Sequence, residues 1–193
     1  MLLAVAALLL PGCATLGERP LGWFCSAEAN SAAIRAASNR TLDERGTLRE
    51  GQTEYIWSIP GAQAQVMARW DVGDSVPETA NGRFRFRMSR PVIPGESAQL
   101  RLLGGSKPFV GEASPGLVEL HLRGSEVASL LQAGRPLVIQ LVARTGAVLA
   151  TTPLDRAGLA EGLNLARKAD AESLARNADY PRLCQREVRI IPT

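Results

Sequence analysis

Apolar and polar residues alternate singly from Val118 to Arg123, where Val118, Leu120 and Leu122 interleave with Glu119, His121 and Arg123. A strand with one buried face has this period of two, so the chain must build a sheet here. The surrounding half, Gly116 to Ala166, is punctuated clearly enough to order its elements. Ser125 can cap a helix carrying Val127, Leu130 and Leu131 on one stripe, and Gly134 followed by Pro136 ends it. Leu137 to Val142 is almost continuously apolar, as in a strand buried on both faces, and Thr145-Gly146 turns it into a partner from Ala147 to Thr152. Asp155 is the expected N-cap of a second helix, with Leu159, Leu163 and Ala166 on one face. Gly158 and Gly162 lie on that helix at about 1 kcal/mol each relative to alanine, a cost that close packing of helix on sheet explains.

Earlier segments add strands. Tyr55, Trp57 and Ile59 share one face, Ala64, Val66, Ala68 and Trp70 another, and Pro60-Gly61 between them marks a hairpin. Phe84, Phe86 and Met88 alternate with Arg83, Arg85 and Arg87, and Ala98 to Leu103 reads as a further strand. Ser26 to Ala37, with Ala29, Ala33 and Ala37 in one stripe beside Ile34, predicts a short helix or a segment held mainly by the Cys25 bond. Ser38 to Gln52 carries charges of alternating sign and predicts a solvated, irregular arm. Lys168 to Asn177 predicts another helical turn or two, and Val188 to Ile191 a short edge strand. With 193 residues, 46% hydrophobic and 21% charged, the chain is long enough for one cored domain over residues 14–193. The expected class is α+β: a mostly antiparallel β-sheet or sandwich of about seven or eight strands, with two helices from the C-terminal half packed on it.

Met1 to Leu10 is an unbroken apolar run, too short to span a bilayer but the length of a secretory signal core, so residues 1–13 are read as a signal peptide. Leu10-Pro11-Gly12-Cys13 resembles the bacterial lipobox, in which Cys13 becomes lipidated; ordinary cleavage after Ala14 is the alternative. The expected location is periplasmic, or membrane-anchored and facing the periplasm, with Cys13 as the tether. Either route leaves Cys25 and Cys184 in a compartment that permits oxidation, and they are expected to form a disulfide.

Arg83, Arg85 and Arg87 should stand on one face about 7 Å apart, with Arg90 and Arg101 as candidates to extend the row, which suits phosphates, glycan carboxylates or an acidic protein surface. The opposing reading is a solvent-facing strand whose arginines are paired or hydrated. A net charge of +3 and export both argue against nucleic acid. His121 is the only histidine, there is no Gly-x-Ser-x-Gly elbow, and Asp71, Asp74 and Glu78 lack the ligand set of a calcium loop. Gly104-Gly105-Ser106-Lys107 lacks the spacing of a phosphate-binding loop. No catalytic, metal or cofactor set is therefore assigned. The expectation is a non-enzymatic envelope accessory or binding protein whose partner is another envelope protein or a glycan. The alternatives are a periplasmic enzyme acting on an anionic envelope substrate, and a structural subunit of a surface assembly.

Leu130-Leu131-Gln132-Ala133-Gly134, the strand to Val142, Thr145-Gly146, Pro153-Leu154 and Gly158-Leu159-Ala160-Glu161-Gly162-Leu163 resemble the closing half of invasion-associated locus B-type periplasmic proteins. A similar ending, with a terminal cysteine such as Cys184, occurs in some type VI secretion accessory proteins. The resemblance covers about a quarter of the chain and implies an exported, mainly β, non-catalytic accessory or binding domain. The chain lacks the internal cysteine pairs of the first family, so no family site is carried over.

Overall fold

The computed structural model describes residues 16–72, 82–88, 98–114 and 117–192. In chain order the elements are β1 (Leu16–Asn30), β2 (Ile34–Leu42), β3 (Leu48–Ser58), β4 (Ala64–Asp71), β5 (Arg83–Met88), β6 (Ala98–Leu103), β7 (Phe109–Ser114) and β8 (Leu117–Arg123). They continue with α1 (Gly124–Gln132), β9 (Leu137–Ala143), β10 (Val148–Leu154), α2 (Arg156–Ala178), the single turn α3 (Tyr180–Leu183) and β11 (Gln185–Pro192). The fold is α+β. Its strands are antiparallel neighbours in the order β10-β9-β6-β7-β8-β5-β4-β3-β2-β1-β11.

The sheet changes direction at β7. Residues from Phe109 to Glu112 pair with β6, whereas Ala113 and Ser114 pair with β8. Gly111 sits at this crossing. A Cβ there would lie 2.4 Å from the Glu119 carbonyl oxygen and 2.9 Å from Leu120 Cα, so the close backbone approach requires glycine. The smaller section, β10-β9-β6, contributes Leu100, Leu102, Leu137, Ile139 and Leu141 to the core. The larger section contributes Tyr55, Trp57, Val66, Trp70, Phe84, Phe86 and Leu120, and the two sets merge in one hydrophobic cluster.

Helix α2 lies over β1, β2 and β3. Asp155 caps it, accepting the Ala157 N–H at 2.9 Å. Apart from Leu159, its buried side is made of small residues: Gly158, Gly162, Ala166, Ala169 and Ser173. Gly158 lies against Trp57 and Gly162 against Tyr55; a Cβ would fall 2.4 Å and 2.5 Å from those rings. The sheet beneath is equally flat, with Ala27, Ala29, Ala36 and Ser38 buried. Small residues on both sides bring the helix axis close to the sheet.

That packing corrects two sequence expectations. Ser26 to Ala37 is not a helix: it holds the end of β1, a turn and the start of β2. Its alanines are explained by the helix above them, since Cys25, Ala27 and Ala29 alternate inward beneath α2. Ser38 to Gln52 is not an irregular arm but the rest of β2, a tight turn and the start of β3. In the turn the Asp43 carboxylate accepts the Arg45 and Thr47 N–H groups, both at 2.8 Å, and Gly46 takes a φ of 81°. Among the described residues the strands number eleven rather than seven or eight, because these segments and β7 join the sheet.

Three boundaries also move. α2 runs unbroken through Lys168 to Asn177 and ends at Ala178. α1 starts at Gly124, one residue before Ser125, and the Arg123 N–H donates to Glu126 at 2.7 Å. β9 buries Leu137, Ile139 and Leu141 on one face; on the other Val142 is buried while Val138 and Gln140 are half-buried. The hairpin at Pro60-Gly61 and the edge strand around Val188 appear as expected, the latter at the end of the sheet order.

Candidate functional site

Strand alternation in β5 buries Phe84, Phe86 and Met88 and turns Arg83, Arg85 and Arg87 to the outer face. Sheet register then decides what each arginine meets. On the β8 side Arg87 stands opposite Glu119, Arg85 opposite His121 and Arg83 opposite Arg123. On the β4 side Arg83 stands opposite Arg69.

Two of the three arginines share one carboxylate. Glu119 Oε1 accepts from Arg87 Nε at 3.0 Å and from its terminal nitrogen at 2.8 Å. Glu119 Oε2 lies 3.1 Å from Arg85 Nε and 3.3 Å from His121 Nε2. The Glu119 side chain is only 12% exposed. Burial pushes its pKa up, but the Arg87 and Arg85 guanidiniums outweigh burial and hold it below the usual carboxylate range. Arg69 is likewise paired, with Glu54 at 3.0 Å.

Arg83 and Arg123 are different. Both are exposed, they face each other across the β5–β8 pair, and neither has a carboxylate partner among the described residues. Like charges directly opposite on a sheet are unfavourable. An anion placed between them would remove that repulsion, and two planar guanidiniums suit a phosphate, sulfate or carboxylate group.

The structure therefore brings Arg83, Arg85 and Arg87 onto one face, as the alternation predicts, but divides them into a pair sharing Glu119 and a residue with no carboxylate partner among the described residues. Arg90 and Cys13 lie outside the described residues. Arg101 is on β6, separated from β5 in the sheet by β7 and β8, and contacts Gln99 at 3.4 Å. Sequence reasoning passed over Arg123, Arg69 and Glu119 as members of this face. Their outward positions were legible from alternation; the pairing of β5 with β8, across an intervening β6 and β7, was not.

Cys25 and Cys184 are joined in a disulfide with Cα atoms 4.5 Å apart. It ties β1 to the residue before β11, and Arg176 of α2 adds a hydrogen bond to the Ser26 carbonyl at 2.7 Å. His121 contacts Glu119 and belongs to the arginine cluster. Among the described residues no group of three or more His, Cys, Asp or Glu side chains could hold a metal ion. No helix among them is long and apolar enough to cross a membrane.

Fold and site together define a disulfide-closed, antiparallel α+β protein with one long helix over its sheet and a partly neutralised arginine face. No family model matches the chain, and no solved structure matches it. A stretch of 87 residues, 45% of the chain, is 34% identical to the ATP synthase epsilon chain of Bordetella avium (strain 197N). The chain spans about 60% of that relative's length.

Proposed function

We propose that this is an exported cell-envelope binding protein, without enzymatic chemistry of its own, that holds an anionic envelope component on the outer face of its larger sheet section. The observation that carries the reading is the Arg83–Arg123 juxtaposition, two exposed guanidiniums with no carboxylate partner among the described residues. Export is supported by the apolar Met1 to Leu10 run and by the Cys25–Cys184 disulfide, a bond characteristic of oxidising compartments. Cys13 would supply the membrane tether.

The test is co-sedimentation of the mature protein with isolated envelopes at low and moderate salt. Arg83→Glu/Arg123→Glu should lose capture, while Glu54→Gln, on the same face, should keep it. Unchanged capture by the double variant would remove the arginine reading. Intact mass of the protein purified from membranes reports directly on Cys13: a diacylglyceryl increment supports the tether, and a chain starting after Ala14 excludes it.

A second reading, a subunit of a surface assembly, is favoured by β11, an end strand that pairs with β1 alone among the described residues. The partial similarity to an ATP synthase subunit covers too little of either chain to name that assembly. Light scattering of the mature protein distinguishes the readings: a strictly monomeric chain that still captures envelopes fits the binding protein alone.

A further inference from the structure

A second feature of the same outer face has a different chemistry. Phe24, Thr41 and Glu50 stand side by side across β1, β2 and β3, and Asn39, Gln52 and Asp71 stand beside one another across β2, β3 and β4. The two rows are successive outward positions, so they tile a patch of roughly 10 by 7 Å from strand spacing and two-residue repeat. They line a groove of about 490 Å³, within the range of small-molecule clefts. Val72 closes one end, its N–H donating to the Gly51 carbonyl at 2.9 Å.

Elsewhere on this face, Arg83 and Arg123 apart, charged side chains pair with one another: Glu54 with Arg69, Glu28 with Arg35, and Glu119 with Arg85 and Arg87. In the groove they do not. None of the Asn39, Thr41, Glu50, Gln52 and Asp71 side chains hydrogen-bonds to another described residue. Two carboxamides offer donors and acceptors in one plane, a hydroxyl offers both, and two carboxylates accept only. Glu50 and Asp71 repel an anion, and a single half-buried aromatic ring, Phe24, is too little apolar surface for a hydrophobic ligand.

A neutral ligand rich in hydroxyl groups, with one apolar face of C–H bonds, matches this set. Its hydroxyls donate to Glu50 and Asp71, bridge the Asn39 and Gln52 amides, and leave the C–H face for Phe24. We infer that the groove is a carbohydrate subsite that seats an uncharged sugar ring of an oligosaccharide. The inference deepens the proposed function, resting on it for the envelope location but not for the Arg83–Arg123 contact.

The experiment is a titration of isotope-labelled mature protein, disulfide intact, with cello-oligosaccharides and chito-oligosaccharides as probes, followed by nuclear magnetic resonance. A short lysine peptide tests the competing pull of the two carboxylates. Saturable shifts at Phe24, Asn39 and Gln52 with a sugar probe are expected, and Asn39→Ala/Gln52→Ala should weaken them about tenfold or more. Gln52→Glu, which keeps the side-chain shape, guards against a folding artefact and should also weaken binding. Absence of groove shifts with every sugar, or shifts with the lysine peptide alone, overturns the site. Sugar shifts retained in Arg83→Glu/Arg123→Glu, alongside unchanged envelope capture by that variant, would leave the groove standing and remove the arginine reading.

Discussion

Arg40 of β2 donates a hydrogen bond to Asp170 of α2 at 2.9 Å, with only 7% of the arginine side chain exposed. The same Asp170 oxygen accepts from Thr53 at 3.0 Å and Ser38 at 3.3 Å, and those two hydroxyls are 2.9 Å apart. One carboxylate on the helix thus gathers three donors from two strands. It fixes where α2 lies along the sheet, which the alanines and glycines of the contact leave unspecified.

Asp170→Ala should be among the most damaging single changes on α2. It strands a buried guanidinium and two hydroxyls, and about 3 kcal/mol is expected, toward the low end for a broken buried pair because Asp170 itself is 30% exposed. Asp170→Asn keeps an acceptor and should cost less. Urea unfolding checks both: a lowered midpoint at unchanged slope is expected, and a midpoint within error of the parent for Asp170→Ala would show that Arg40 is solvated after all.

This contact also shows where the sequence stopped being legible. Alternation located β3, β4, β5 and β8, because large apolar residues on every second position have one interpretation, and a continuous apolar run located β9. It failed on β1 and β2, where the inward residues are Ala27, Ala29, Ala36, Ser38 and Arg40. Their size and polarity answer α2, an element more than a hundred residues away, so no local window contains the reason. The arginine face divided along the same line. Outward placement of Arg83, Arg85 and Arg87 is local, but their unequal neutralisation depends on β8 pairing with β5. The Cys25–Cys184 bond was readable because the signal-peptide reading sets Cys13 aside and leaves two cysteines.

Gly162→Ala should destabilise the protein although alanine is the better helix former. The added Cβ would meet the Tyr55 ring at 2.5 Å, and that ring is buried between Trp70 and Phe84. The helix gains about 1 kcal/mol in propensity, but overpacking at such a site costs about 1–3 kcal/mol. A net loss of thermal stability is expected, and the near-ultraviolet signal of Tyr55 and Trp70 should change with it. A raised melting temperature would mean that α2 can lift from β3 without loss.

Reduction of the Cys25–Cys184 disulfide should release the chain's longest covalent constraint. The bridged residues are 159 apart in sequence, for which chain entropy gives about 5 kcal/mol, an upper figure for a loop of this length. Urea midpoints with and without reductant, or for Cys25→Ala/Cys184→Ala, report the difference. Equal midpoints would show that hydrogen bonds and the packing of α2 already hold β1 and β11 in place.

Glu119 should make the arginine face respond to acid. Its folded pKa is depressed, burial notwithstanding, by Arg87 and Arg85. A depressed carboxylate contributes stability that is complete above its unfolded value, about 4.3, and is lost as pH falls through the lower folded value. Glu119→Gln removes the contribution, so its stability should fall less steeply than the parent's below about pH 4.3. Protonation also releases Arg85 and Arg87 from their shared carboxylate, which raises the net positive charge beside Arg83 and Arg123 by one. Capture of an anionic polymer such as dextran sulfate should therefore tighten in acid for the parent chain, and Glu119→Gln should show that tighter capture already at neutral pH. If the variant captures no better at neutral pH, Glu119 is not what restrains Arg85 and Arg87 from binding anions.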